Sequence, residues 1–425
     1  MRRLFMHVDF KHTPFEKASY LLEQLEKAGY EAYFVGGSVR DTLLSLPIHD
    51  VDIASSATPD EVETVFNHTI DLGKEHGTIL VMYEKEGYEI TTFRTEGEYS
   101  DSRRPDQVFF VRNLKEDTLR RDFTINALAF DRKGQLYDYH NGQEDLQKKL
   151  IRAVGNPDQR FEEDALRMFR AVRFATQLGF EIEKETVKAL KTLAPTIELI
   201  SMERNRVEFS KYLTGKYFKS HYYYLVDSQL LTYLPFFDNG ILLEEVFHSL
   251  AKDSAYYIEN DAELTEEMAW CLLTIYMGLT IKQAKSFLKR WTHSNAFITT
   301  VVHLRLLYDH YQENKQWSNE IVYQYTKEEL FLMEEYLNLT HQKESYTALL
   351  QKEQLPIQKR QDILINGKDI MELLNMTKGS ALIGQLLNQV EQQILSHQLK
   401  NNPREIEQFI LQKANHMKER KQSFD

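Results

Sequence analysis

Apolar residues recur at spacings of three and four from position 14 to 28, where Phe15, Ala18, Leu21, Leu22 and Leu25 share one face. The spacing predicts an amphipathic helix that ends at Gly29. A short β-prone run at 32–35 follows, then a Gly36-Gly37 turn, a short helix to about 44, and a second strand over 50–54. Thr58-Pro59-Asp60-Glu61 reads as a helix start, with a Thr cap, Pro at the first position and acids in the first turn. Two β-rich runs, 78–83 and 88–94, joined at Lys85-Glu86-Gly87, predict a hairpin. The polar stretch 95–107 reads as a mobile loop, 108–111 as a strand, and 115–129 as a helix. From about residue 162 helical patterns dominate: 162–177, 184–193, 202–213, 264–277, 281–292, 296–312 and several more to 418. The expected fold class is a mixed α/β head of about 140 to 150 residues followed by an elongated all-α arm.

Composition narrows this picture. The chain has 425 residues, 42% apolar and 27% charged, enough for several domains with a substantial core. Only 17 glycines and nine prolines interrupt it, which suits long helices. Its one cysteine, Cys271, lies in an apolar run, so no internal disulfide and no Cys/His zinc spacing arise. No apolar stretch has the length of a signal peptide or a membrane span, and the expected location is cytoplasmic, with no membrane partner. The net charge of −12 argues against coating nucleic acid by bulk charge but leaves room for a local basic groove.

Four motifs carry candidate chemistry. Asp50 and Asp52 lie two apart in His49-Asp50-Val51-Asp52-Ile53. On a strand, residues two apart face the same way, about 6–7 Å apart by strand rise, which makes a site for hard divalent cations. The preceding Val35-Gly36-Gly37-Ser38-Val39-Arg40-Asp41 offers backbone N–H groups at a helix start, suited to a polyphosphate. Glu89 is the candidate third carboxylate, and an ordinary exposed strand Glu fits that position equally. The second motif, Arg120-Arg121-Asp122-Phe123-Thr124-Ile125-Asn126-Ala127, read as helix, places Asp122 and Asn126 on one face to meet a sugar hydroxyl, with Arg121 to hold phosphate.

The third motif, Glu162-Glu163-Asp164-Ala165-Leu166-Arg167-Met168-Phe169-Arg170-Ala171-Val172-Arg173, repeats arginine every third residue and puts Asp164 on the same helical face as Arg167. Cytosine and adenine both present an amino donor beside a ring-nitrogen acceptor, whereas uracil and guanine present the reverse order. A carboxylate beside a guanidinium therefore pairs with C and A and mismatches U and G, so that side chains serve as the template. Arg170 and Arg173 are then free for phosphate or base. The fourth motif, 97–106, alternates acid and base and includes Arg103 and Arg104; it reads as a solvated loop or as an element seating the incoming nucleotide. Taken alone, the second and third motifs also fit ordinary salt-bridge clusters.

The order Gly-Gly-x-Val-Arg-Asp, Asp-x-Asp, Arg-Arg-Asp-x-x-x-Asn-Ala and Glu-Asp-x-x-Arg resembles the class II tRNA nucleotidyltransferases, the bacterial CCA-adding enzymes of the poly(A) polymerase superfamily. The resemblance is strongest over 30–215 and continues more weakly through Ile363-Leu364-Ile365-Asn366-Gly367-Lys368-Asp369 and the last helices. It implies a nucleotidyltransferase head (1–150), a helical neck with a nucleotide-selecting helix (151–215), a helical body (216–305) and a helical tail (306–425) that binds tRNA. It implies Mg²⁺ at Asp50 and Asp52, catalysis by Asp50, Asp52 and Glu89, and CTP and ATP as substrates. The expected nucleotide-binding set is Gly36, Gly37, Ser38, Arg40, Arg121, Asp122, Asn126, Asp164, Arg167, Arg170 and Arg173. The product implied is the tRNA 3′-terminal CCA, made without a nucleic-acid template and with release of pyrophosphate, and restored on damaged tRNA ends. Monomer and homodimer are both compatible with the sequence. Poly(A) polymerases share the head motifs but typically carry a Gly-Arg-Arg-Phe-type segment, which Leu72-Gly73-Lys74-Glu75-His76-Gly77 lacks. An A-adding tRNA nucleotidyltransferase and a non-catalytic RNA-binding protein complete the alternatives.

Overall fold

The computed structural model describes residues 7–96, 108–237, 242–342 and 345–422. Helix α1 (Pro14–Lys27) has proline in its first turn and buries the five apolar residues that its periodicity picks out. Strand β1 (Ala32–Val35) leads into the seven-residue α2 (Gly37–Leu43), then β2 (Asp52–Ser55) and α3 (Pro59–Val65). Thr58 caps α3 with a reciprocal box: its Oγ1 accepts from the Glu61 N–H at 3.4 Å, and its own N–H donates to Glu61 Oε2 at 2.7 Å. Strands β3 (Thr69–Gly73), β4 (Thr78–Tyr83), β5 (Glu86–Thr92), β6 (Arg94–Glu96) and β7 (Val108–Phe110) follow, then α4 (Leu114–Leu119), β8 (Leu128–Phe130) and β9 (Leu136–Asp138).

Seven strands form one mixed sheet in the order β3-β4-β5-β2-β1-β8-β9. Only β2 and β5 pair parallel within it. Alternation along β1 splits the core into two layers. Phe34 faces α1 and packs on Phe15 at 4.7 Å between centroids, with Phe10 and Phe130 edge-on to the cluster. Val35 faces the other way, into a cluster with Ala54, Phe93, Ala129 and Leu114 of α4.

Three local expectations change. The hairpin turns one residue earlier than expected: Tyr83 pairs with Glu86, and Glu84 and Lys85 take positive φ (47° and 71°) to make the two-residue turn that matches strand twist. The expected helix 115–129 stops at Leu119. Beyond it the backbone finds partners in a neighbouring segment: the Thr124 N–H donates to Arg152 O at 2.9 Å and the Val154 N–H to Asp122 O at 3.1 Å. One short 3₁₀ turn (Thr124–Asn126) then leads into β8. The expected helix 162–177 is two helices. After α5 (Gly142–Lys148) and β10 (Leu150–Ile151), α6 (Pro157–Glu163) ends at Asp164, which is extended (φ −144°, ψ 103°). Asp164 Oδ1 accepts from the Leu166 N–H at 3.1 Å, a local bond that competes with helix continuation. Helix α7 (Leu166–Leu178) starts anew, and a two-residue strand β11 (Glu181–Ile182) pairs parallel with β10, where no strand was expected.

Helices α8 (Lys184–Leu193), α9 (Met202–Leu213), α10 (Phe218–His221) and α11 (Tyr223–Asp227) follow, with α9 packed on α7 through Phe209 and Phe169. Two compact units emerge. The first comprises 1–255 with 290–292; the second comprises 256–289 and 293–425, and the division runs through α12 (Leu243–Glu259). The second unit is helical, from α13 (Glu266–Tyr276) through α14 (Ile281–Arg290), α15 (Asn295–Asn314), α16 (Asn319–Gln324), α17 (Lys327–Leu339), α18 (Thr347–Glu353), α19 (Gly367–Leu373) and α20 (Ala381–Leu395) to α21 (Pro403–Gln422). Its core includes the fully buried Trp270, Leu304, Leu330 and Leu337. Among the described residues no helix is long and apolar enough to cross a membrane.

The aromatic layer under β1 should dominate the stability of the first unit. Phe34→Ala is expected to cost about 3–5 kcal/mol in urea unfolding followed by near-UV circular dichroism. A cost below about 1 kcal/mol would show that the sheet does not rest on this ring.

Candidate active site

A cleft of about 640 Å³ opens where β1, β2, α7 and α9 meet, all within the first unit. Its floor is the Gly36–Gly37 turn at the end of β1, beside Asp52 at the head of β2. Gly36 has φ +75°, and a Cβ there would lie 3.4 Å from Asp52 Oδ2 and 3.8 Å from Arg121 Nη1. The turn thus needs glycine for its backbone and brings the main chain close to the acid. Ser38 is spent locally, its hydroxyl donating to Val35 O at 3.1 Å.

Asp50 and Asp52 both line the cleft, but not from one strand. Strand β2 begins at Asp52, two residues after Asp50, yet exposure alternates through Asp50, Val51, Asp52 and Ile53, so both acids stand on the open side as the i, i+2 spacing predicts. Buried Val51 between them anchors the approach. The parallel register Ile53↔Ile90 sets Glu89 of β5 alongside Asp52 on the same face. Asp52 shows an open face to the cleft, yet its carboxyl is raised above the usual carboxylate range. The surrounding walls strip water from it, and Glu89 and Asp50 repel its charge against the attraction of Arg121. Among the described residues no three acids, histidines or cysteines close on one point. Two carboxylates with mutual repulsion still fit a hard cation that takes its remaining oxygens from water and a polyphosphate.

Behind the carboxylates lies a lattice of arginines and acids. Arg40, 8% exposed, donates to Asp41 through Nε (2.9 Å) and to Asn126 Oδ1 through Nη1 (2.7 Å). Asn126 in turn donates to Asp122 Oδ1 at 3.1 Å, and Asp122 Oδ2 accepts from Arg170 Nε at 2.7 Å. Asp122 and Asn126 therefore do share a contact, made by the 3₁₀ turn rather than by an α-helix. Both residues line the cleft, and their polar atoms bond to each other, to Arg40 and to Arg170.

Arg170 and Arg173 are likewise not free. Arg173 Nε lies 2.7 Å from Glu208 Oε2, an ion pair whose angle falls short of hydrogen-bond alignment, and Arg170 Nη1 lies 3.9 Å from Glu208. Burial, helped by the charges of Arg170 and Arg40, brings the Arg173 guanidinium down to about 10 against the pull of Glu208. The Phe174 ring lies under three guanidiniums, Arg173 at 4.1 Å, Arg40 at 4.9 Å and Arg170 at 5.4 Å. Arg121 donates through Nη2 to the fully buried Asp117 at 3.0 Å, and Arg120 grips the same carboxylate.

The helix break also changes the third motif. Asp164 Oδ2 accepts from Arg204 Nη2 of α9 at 2.7 Å. Arg167 donates to Glu163 Oε2 (2.7 Å) and to the carbonyls of Arg160 (3.0 Å) and Arg120 (2.8 Å). Asp164, Arg167 and Arg204 still share the cleft wall. Sequence reasoning missed Asp117, Phe174, Arg204 and Glu208. The spacing of four between Arg204 and Glu208, with Lys211 a further three on, marks one face of α9 and was the available signal. The motif over 97–106, with Arg103 and Arg104, lies outside the described residues.

Comparison with known proteins identifies the family. Residues 32–152 match the family described as poly A polymerase head domain, 179–241 a probable RNA and SrmB-binding site of polymerase A, and 263–410 a putative tRNA nucleotidyltransferase domain 2. The CCA-adding enzyme of Streptococcus suis is 43% identical over 404 residues, 94% of this chain and 96% of that protein. That of Streptococcus mutans is 43% identical over 410 residues, 94% of this chain and 98% of that protein. This chain belongs to the CCA-adding enzymes. A crystal structure of the Bacillus stearothermophilus CCA-adding enzyme in complex with CTP shares its fold with a TM-score of 0.85 at 32% identity, covering 96% of this chain and 99% of that one. As a member of a family of tRNA nucleotidyltransferases, the chain has its head match around Gly36 to Asn126. The stretch from Asp164 to Arg173 falls between two matched regions.

The lattice makes a test of Asp122. Burial disfavours its charge, but Arg170, Asn126 and Arg167 hold the carboxyl down to about 2. A depressed carboxyl stabilises the fold above its unfolded pKa near 4 and ceases to do so as pH falls through 2. The shift corresponds to about 2 kcal/mol at pH 7. Asp122→Asn should therefore unfold at lower urea than the parent at pH 7, with the gap narrowing between pH 4 and pH 2. A gap independent of pH would remove the ionic account.

Proposed function

We propose that this chain adds C, C and A in turn to the 3′ end of tRNA from CTP and ATP, without a nucleic-acid template, and restores ends that have lost them. The observation that carries the reading is the cleft itself, where paired acids at a glycine turn face arginines held at fixed angles. The CTP complex of the Bacillus stearothermophilus relative and the tRNA complex of a Thermotoga maritima CCA-adding enzyme of like fold support the choice of substrates. A cytoplasmic location accords with this substrate.

The reaction is in-line attack of the tRNA 3′-hydroxyl on the α-phosphorus, with the bond to the bridging oxygen breaking and pyrophosphate leaving. Asp50 and Asp52 would hold Mg²⁺, with Glu89 as the neighbouring third carboxylate. When bound, the cation lowers the pKa of the attacking hydroxyl and neutralises charge on the leaving pyrophosphate. Arg121, fixed by Asp117 next to the Gly36 turn, meets phosphate. Because α2 has only seven residues, the triphosphate is held by guanidiniums more than by the helix dipole.

Asp164 supplies the acceptor that reads the amino group shared by C and A, while Arg204, bonded to it, and Arg167 beside it supply the donor for the ring nitrogen. A base with the reverse order leaves these groups wrongly paired, which discriminates strongly.

Incubation of the purified protein with tRNA lacking its 3′ end and with labelled CTP, ATP or both tests the whole reading. Ordered C, C, A extension is expected, and absence of incorporation would sink it. In the same assay Asp52→Ala should lower the rate with either nucleotide by about a hundredfold or more while leaving the melting temperature unchanged. Retained activity would remove the acid from the reaction. Asp164→Ala should instead raise incorporation of UMP or GMP relative to CMP by about tenfold. Unchanged selectivity would end the side-chain template.

A further inference from the structure

The carboxylate face of the sheet continues past the acids. Register carries a single row from the glycine turn across β2, β5, β4 and β3: Asp52 lies beside Glu89, Glu89 pairs with Leu80, and Leu80 pairs with Ile70. Paired residues share a face, so the row turns from acidic to apolar within one strand spacing, about 5 Å. Ile70 is 50% exposed and Met82, one step along β4 on the same face, is 37% exposed, while Leu80 is half-buried. The opposite face of the same strands is closed, with Ile79, Val81 and Ile90 buried. Met82 pairs with Gly87, whose φ does not demand glycine. A Cβ there would sit 3.0 Å from Leu80 Cδ1. Glycine at this position leaves room for the Leu80 side chain to lie across β5, which extends the apolar surface from β4 toward Glu89.

We propose that this apolar platform seats the unpaired base of the RNA primer's terminal nucleotide, so that its 3′-hydroxyl reaches the carboxylates. The inference rests on the nucleotidyl-transfer reading above. In-line displacement requires the nucleophile to enter opposite the leaving group. The arginines and the Gly36–Gly37 turn, which would hold the pyrophosphate, lie on the β1 side of Asp52. The nucleophile must then come from the β5–β4–β3 side. Acids at Asp52 and Glu89 repel a bare phosphate there, whereas a neutral planar base packs on Leu80, Ile70 and Met82. Such packing tolerates any base, as a surface meeting first the tRNA's own last nucleotide and then C must.

The test is steady-state CMP addition to tRNA lacking its 3′ end, with RNA and CTP varied separately. Ile70→Ser and Gly87→Val should each raise KM for the RNA about tenfold and leave KM for CTP within about twofold. An unchanged RNA KM in both variants, or an equal change for CTP, overturns the platform. Because Ile70 is half exposed, Ile70→Ser keeps the fold, which its melting temperature verifies. Photocrosslinking of an RNA carrying 4-thiouridine at its 3′ end provides a readout independent of turnover. Adducts in peptides spanning 69–73 or 78–87 support the platform, and adducts confined to other segments refute it. A wild-type protein that transfers nothing but crosslinks there would remove the proposed reaction and keep the surface.

Discussion

Asp122 carries a full charge out of water, and the first unit is organised around satisfying it. Its carboxylate accepts from Arg170 of α7 on one oxygen and from Asn126 and the Phe123 N–H on the other, and Asn126 passes the connection to Arg40 of α2. One acid thus ties the turn below the sheet to the helices that wall the cleft. The attraction of Arg170 and its neighbours outweighs the cost of taking this charge out of water, so the network adds a modest net stability. It also imposes geometry. Removing either partner leaves a charge stranded, so the elements bearing them are confined to one arrangement.

That confinement explains why the cleft can be chemically selective without being flexible. Each arginine facing it is oriented by at least one acid or carbonyl: Arg121 by Asp117, Arg173 by Glu208, Arg204 by Asp164, Arg167 by Glu163. Phe174 beneath three of the guanidiniums supplies an apolar face that fixes their stacking. Donors prepositioned in this way need not reorganise when charge moves during phosphoryl transfer. The glycine turn contributes close approach of the main chain to Asp52.

Much of this was legible in the sequence where the signal was local. The α1 periodicity, the extent of β1 and β4, and the Thr58 cap all depend on residues within one or two turns, and each appears where expected. The failures share a cause. At 120–127 and at 164–165 the local pattern reads as helix, but the backbone bonds elsewhere, to Arg152 and Val154 in one case and through the Asp164 side chain in the other. Partnerships between segments forty residues apart, such as Arg204 with Asp164, leave no trace in spacing along one element. The same holds for the arginines of α7. The repeat of three was visible, but not the acids that would claim them, because Asp122 and Glu208 come from other parts of the chain.

Those pairings also resolve the conflict between a phosphate-binding cleft and a net charge of −12. Almost every guanidinium in the wall is matched by a carboxylate within hydrogen-bond distance, so the cleft is not a strong positive field. A triphosphate entering it meets directed N–H groups whose counter-charges lie behind them. Long-range steering is weak in such an arrangement, and close-range orientation is strong. The acids that hold the arginines therefore limit how much nonspecific polyanion the cleft attracts, while leaving intact the angles at which a correctly placed phosphate or base edge is recognised.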